Sequence, residues 1–143
     1  MSNEVPLGFL RTCIDKRFVA ATREVFEKKT DLAPDKYWHE AYAGGSARDP
    51  SLVENNPETG NNIYADQYAH EHGARIFGWQ AHIDKCGGLP GAGNTAILTA
   101  LTQHINAMIQ KYPGSQHYRI LASGEENTPP HIDIAKVWPI AEP

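Results

Sequence analysis

Short apolar segments with strand character alternate along this chain with amphipathic segments of helical period. The clearest helical period extends from Asn94 to about Lys111, where apolar residues recur every three or four positions. Strands joined by helices form right-handed crossovers, so the alternation predicts a three-layer α/β fold with a mainly parallel sheet of about five strands and helices on both faces. The predicted strands are 7–14, 36–43, 75–82, 118–122 and 131–137, and the predicted helices are 17–29, 62–73 and 94–111.

The composition indicates a single domain over residues 1–143 with an ordinary balance of residues. Hydrophobic residues make up 41% and charged residues 21% of the chain, which is typical of a soluble globular domain. The net charge of -4 argues against nucleic acid as a partner, because phosphate binding needs clustered cations. Met1-Ser2-Asn3-Glu4 lacks the basic and apolar segments of a secretory signal, and no apolar run could span a bilayer. We therefore expect a cytoplasmic protein without a membrane partner.

Each of the two cysteines of the chain lies at the end of a predicted strand or just beyond it. Cys13 ends the first strand, and Cys86 comes shortly after His82, which ends the third. We interpret Cys13, His82 and Cys86 as three ligands of one zinc ion, because zinc binds thiolate and imidazole readily. A fourth position would then be open to water, another histidine, Asp15 or Asp84. A Cys13–Cys86 disulfide is the alternative, which a reducing compartment disfavours.

The predicted topology brings these strand ends together if the second and third strands flank the first. In open parallel sheets, sites form beyond the carboxyl ends of strands where the strand order reverses. Cys13 and His82 would then be neighbours at this switch point. In extended backbone, Cys13, Asp15 and Arg17 also share one face, although Asp15 and Arg17 could equally form an ordinary surface ion pair.

Three motifs in order resemble those of the β-class carbonic anhydrases. Cys13-Ile14-Asp15-Lys16-Arg17 matches the family's Cys-x-Asp-x-Arg motif, and Ala43-Gly44-Gly45 matches its Ala-Gly-Gly motif. His82 with Cys86-Gly87 is similar to its His-x-x-Cys-Gly motif but has three intervening residues where the family has two. The chain also has almost nothing before its first strand, where the family usually carries N-terminal helices that contact a partner subunit.

The resemblance implies a β-carbonic-anhydrase-like fold and a zinc-dependent carbonic anhydrase (carbonate dehydratase), a lyase. Zinc held by Cys13, His82 and Cys86 would carry a hydroxide that attacks carbon dioxide and gives bicarbonate. Asp15 and Arg17 would be the catalytic pair, in which Arg17 keeps Asp15 off the metal and Asp15 accepts a hydrogen bond from the zinc-bound hydroxide. The resemblance also implies a homodimer or higher homo-oligomer, because the family's active sites lie near a dimer interface.

Three other interpretations stay open at this point. Relatives of the family hydrolyse carbon disulfide or carbonyl sulfide, so the same chemistry could serve another substrate. The altered spacing between His82 and Cys86 could leave a zinc-binding protein without catalytic activity. Finally, Gly88 followed after four residues by Gly93-Asn94-Thr95 is similar to a phosphate-binding loop, but Asn94 stands where the lysine that contacts the phosphates would be.

Overall fold

A five-stranded sheet with helices on both faces forms the centre of the molecule. The computed structural model describes residues 6–42, 45–47, 65–83, 93–124 and 129–140. The strands are β1 (Leu7–Cys13), β2 (Tyr37–Tyr42), β3 (Ala74–His82), β4 (Gln116–Ser123) and β5 (His131–Trp138). The helices are α1 (Val19–Thr30), α2 (Ala65–Glu71) and α3 (Asn94–Lys111), and a 3₁₀ turn at Pro34–Lys36 precedes β2.

The strand order is β2-β1-β3-β4-β5, so β1 lies between β2 and β3 as predicted. The first four strands are parallel, whereas β5 runs antiparallel to β4. The predicted α/β class and the mainly parallel sheet are confirmed at this level, but the sheet is mixed. The reason is the short connection between β4 and β5, since a parallel crossover needs a dozen or more residues and an antiparallel return does not.

Alternating side chains on the strands contact different helices on the two faces of the sheet. Phe9 and Phe77 belong to an apolar cluster with α2 and α3. Their strand neighbours Leu10 and Ile76 belong to a second cluster, which contains Phe26 of α1. Successive strand residues point to opposite faces, so α1 covers one face and α2 with α3 covers the other. None of the helices in these described segments is long and apolar enough to span a membrane.

A buried cluster of charged side chains connects β1 to β2, α2 and α3. Arg11 on β1 is only 1% exposed. Its guanidinium donates to Glu40 of β2 at 2.9 Å, to Asp66 of α2 at 3.0 Å and to His104 of α3 at 3.1 Å. A guanidinium cannot accept a hydrogen bond, so the Nε2 atom of His104 is the acceptor. The cluster therefore fixes β1 near its carboxyl end, where the candidate site begins.

Candidate metal centre

Cys13 and His82 lie at the carboxyl ends of β1 and β3, the two strands on either side of the switch point. Both side chains are buried, with 3% and 1% of their surface exposed. The side chain of Cys13 lies close enough to the imidazole of His82 to raise its pKa by hydrogen bonding and by charge. The two predicted ligands that the structure describes are thus in contact, although they are far apart in sequence.

The imidazole of His82 is oriented by the backbone beside it. Its Nδ1 atom donates to the carbonyl oxygen of Ile83 at 3.2 Å, which leaves Nε2 for other partners. Burial lowers the pKa of His82, but Cys13, the Ile83 carbonyl and the charge of Asp15 together outweigh burial, and the net pKa is raised. Histidines that bind metals commonly donate their second ring nitrogen to a carbonyl or carboxylate in this way.

Asp15 and Arg17 form a bidentate ion pair just beyond β1. The Nε atom of Arg17 donates to the two carboxylate oxygens at 3.0 and 3.2 Å, and a terminal nitrogen donates to Oδ2 at 2.8 Å. The backbone N–H of Arg17 also donates to Oδ1 at 2.9 Å. Side-chain hydrogen bonds from Arg17 are the main cause that lowers the pKa of Asp15 to about 2. Asp15 is therefore ionised and can only accept hydrogen bonds near neutral pH.

Phe18 connects this ion pair to the His82 imidazole. The guanidinium of Arg17 lies 4.7 Å from the centre of the Phe18 ring, and the His82 ring lies 5.1 Å from it on centroids. Oδ2 of Asp15 is 4.0 Å from Nε2 of His82. The structure thus brings together four of the five residues predicted for the site: Cys13, Asp15, Arg17 and His82.

The fifth predicted residue, Cys86, lies outside the described residues, as do Asp84 and Gly88. In the parts of the chain that the structure describes, no group of three or more His, Cys, Asp or Glu side chains has the arrangement of a metal site. Thiolate and imidazole are nonetheless donors that zinc prefers, and Cys13 and His82 are the right pair to supply them. Cys13 and His82 thus offer two donors of the kinds that zinc binds.

Two features of the site were not predicted from the sequence. Gln80 on β3 is fully buried and hydrogen-bonded to the backbone N–H of Cys13 at 2.8 Å. Ser46 is also fully buried, and its hydroxyl has no hydrogen-bond partner among the described residues. One indication of the role of Gln80 is present in the sequence, because it is a polar residue inside the largely apolar strand segment 75–82.

Comparison of the chain with protein-family models, curated proteins and solved structures finds no significant match.

Proposed function

We propose that the chain is a zinc-dependent lyase of the β-carbonic-anhydrase kind, which hydrates carbon dioxide reversibly to bicarbonate. The observation that carries the proposal is the contact between Cys13 and His82, with the Asp15–Arg17 pair immediately beside it. The strand order β2-β1-β3-β4-β5, with its switch point between β1 and β3, supports a fold of the same kind.

Cys13 and His82 would hold the zinc ion, with Cys86 as the third ligand. A zinc ion bound there supplies Lewis acidity and lowers the pKa of water, so that water can attack carbon dioxide near neutral pH. Cys13 would bind as the thiolate, and His82 would bind through Nε2 because Nδ1 donates to Ile83. Two thiolates offset the charge of the ion, so we expect activity to rise at a higher pH than in a site of three histidines.

Asp15 would orient the attacking water by accepting one of its hydrogen bonds. The role needs a carboxylate that is ionised and held in one direction, and Arg17 meets both needs. It lowers the pKa of Asp15 to about 2 and engages both carboxylate oxygens. Arg17 is itself held by the Phe18 ring and by the carbonyl oxygen of Gly124 at 3.4 Å. A clamped acceptor of this kind fixes the direction of the water lone pair that attacks carbon dioxide.

Phe18 would keep water away from one side of the imidazole. Its ring is fully buried and packs against His82. Carbon dioxide is small and uncharged, so an apolar wall suits it better than it would suit a charged substrate.

Metal analysis with single substitutions tests the proposal. The purified protein should contain about one zinc ion per chain, and Cys13→Ser, His82→Gln and Cys86→Ser should each lose most of it. His131→Gln, an exposed histidine on β5, is the matched control and should keep its zinc. Full zinc retention by Cys86→Ser would remove that residue from the ligand set.

Stopped-flow hydration of carbon dioxide then separates the possible reactions. The zinc-loaded protein should hydrate carbon dioxide faster than buffer, with a rate that rises with pH. Hydration at the uncatalysed rate between neutral and alkaline pH would contradict the proposal. Sulfide release from carbon disulfide or carbonyl sulfide in the same preparation would instead indicate the hydrolase, and inactivity in all three assays would indicate a non-catalytic zinc protein.

A further inference from the structure

The ends of β1 and β3 separate just before the candidate metal centre. Pairing between the two strands runs from Leu7 opposite Ala74 to Arg11 opposite Trp79 and then stops. β1 continues to pair with β2 as far as Cys13, and β3 continues to pair with β4 as far as His82. Cys13 and His82 therefore lie on either side of a gap in the sheet, and something other than the strand ladder must set the distance between them.

Gln80 spans that gap with both its backbone and its side chain. Its carbonyl oxygen, which no longer pairs with β1, accepts a hydrogen bond from the N–H of Ser46 at 2.8 Å. Its side-chain oxygen Oε1 accepts the N–H of Cys13, also at 2.8 Å. A fully buried backbone N–H needs a partner, and here the partner is a side chain from the strand that carries His82.

The other end of the Gln80 side chain is fixed on α1. Its Nε2 atom donates to the hydroxyl of Thr22 at 3.3 Å, and Thr22 is itself fully buried. The N–H of Cys13 needs an acceptor and the Thr22 hydroxyl can act as one, so the amide of Gln80 has one orientation that satisfies both partners. Cys13 is thus positioned relative to β3 and to α1 by a single rigid side chain.

The backbone at Gly45 shows how closely the segment 45–47 fits into the gap between the ends of β1 and β3. Gly45 has φ of 55°, and a Cβ atom there would lie 2.4 Å from the carbonyl oxygen of Gln80 and 2.7 Å from the backbone nitrogen of Cys13. Glycine is required both by the left-handed conformation and by this close approach. Gly45 and Ser46 therefore occupy the space between the strand ends, and Gln80 bridges the remainder.

We propose that Gln80 is the positioning residue that holds Cys13 against His82. It does not contact the reacting atoms; it fixes the main chain of Cys13 so that the sulfur stays within reach of the imidazole. Its expected effect on zinc affinity rests on the proposed function, whereas its effect on the Cys13 backbone does not. Residues that orient metal ligands from behind typically change metal affinity by about 10–100-fold when they are mutated.

Amide hydrogen exchange at Cys13, followed by NMR on the purified full-length protein, measures the proposed hydrogen bond directly. Gln80→Met keeps the volume of the side chain but removes the acceptor, and exchange at Cys13 should become about tenfold faster. Thr22→Val is the matched control, because it removes the other hydrogen bond of the same amide and leaves Oε1 in place. It should change exchange at Cys13 much less.

Competition with a chromogenic chelator measures zinc affinity in the same proteins. Gln80→Met should bind zinc about tenfold or more weakly, and Thr22→Val, which leaves the hydrogen bond from Cys13 to Gln80 in place, should weaken binding much less. Gln80→Glu retains an acceptor oxygen and should keep slow exchange at Cys13. If Gln80→Met does not fold, Gln80→Glu tests the proposed hydrogen bond. Fast exchange of the Cys13 amide in that variant would overturn the proposal.

The remaining outcomes separate this inference from the proposed function. Unchanged exchange at Cys13 in Gln80→Met, or equal acceleration in Thr22→Val, would overturn the positioning role even if the protein binds zinc and hydrates carbon dioxide. A protein that binds no zinc would overturn the proposed function, and faster exchange in Gln80→Met alone would still support the positioning role.

Discussion

Replacing Arg11 with methionine should destabilise the protein more than any surface change, because it removes the cation from a buried cluster of charges. Arg11 and Asp66 are each 1% exposed, and Glu40 is 10% exposed. Methionine keeps an unbranched apolar side chain that can still pack against Phe9 and Trp79, whose rings lie 5.2 Å from the guanidinium. The substitution therefore removes mainly the charge and its hydrogen bonds, while most of the apolar packing remains.

The size of the stability loss depends on the hydrogen bonds and the solvent contact that the carboxylates of Asp66 and Glu40 retain. Breaking a buried ion pair from one side costs about 3–5 kcal/mol, because an uncompensated charge remains. Asp66 keeps hydrogen bonds from Tyr112 and Lys111, and Glu40 can reach some solvent, so the lower end of that range applies. A loss of about 3 kcal/mol is a large part of the total of about 5–15 kcal/mol expected for a domain. It corresponds to a fall in Tm of roughly 6–12 °C.

Urea unfolding followed by far-ultraviolet circular dichroism at neutral pH measures this loss. Lys111→Met is the matched control: its ammonium also contacts Asp66, at 3.4 Å, but the side chain is 36% exposed. Exposed pairs contribute about 0–1 kcal/mol, so this variant should be nearly as stable as the unaltered protein. Arg11→Met with Asp66→Asn should recover part of the loss, because one of the two buried charges is removed. A loss below about 1 kcal/mol in Arg11→Met would refute the reasoning.

Three further predictions concern the pH dependence of stability, the backbone conformation at Gly45 and the role of Asp15 in the candidate site. Burial lowers the pKa of His117 below its ordinary value of 6.5, so below that pH the unfolded chain takes up a proton that the folded chain does not. The free energy of unfolding, measured in urea, should fall by up to about 1.4 kcal/mol per pH unit on acidification. His117→Phe should make this dependence on pH weaker. An unchanged dependence would show that His117 is not its source. Gly45→Ala should cost more than about 2 kcal/mol by urea unfolding, because of its left-handed φ and the close carbonyl of β3. At Gly114 no atom lies near the position of an added Cβ, so Gly114→Ala should lose far less stability. Equal losses in the two variants would contradict the role given to the Gly45 backbone. Asp15→Asn should keep its zinc but hydrate carbon dioxide about tenfold or more slowly, whereas Asp133→Asn on β5 should not differ from the unaltered protein; full activity in Asp15→Asn would exclude the orienting role.

Local pattern was sufficient for much of the fold and for part of the site. The apolar period of α3 and the apolar runs of β1 and β3 depend only on nearby residues, so their positions could be predicted closely. The Asp15–Arg17 pair is local too, because two residues so near in sequence meet through the turn after β1. The prediction that Cys13 and His82 would be neighbours used the additional rule that parallel strand ends meet at a switch point. Their role as zinc ligands stays a prediction.

The partners of the buried polar groups were decided only by the tertiary structure. Arg11 lies inside an apolar strand segment, and nothing in the sequence indicates that its partners would come from β2, α2 and α3. Gln80 likewise bonds Cys13 and Thr22, which belong to two other elements. The physical reason is that the spacing of apolar residues indicates only which face of a helix or strand is buried. A buried polar group also needs a hydrogen-bond partner, and that partner comes from whichever distant element packs beside it.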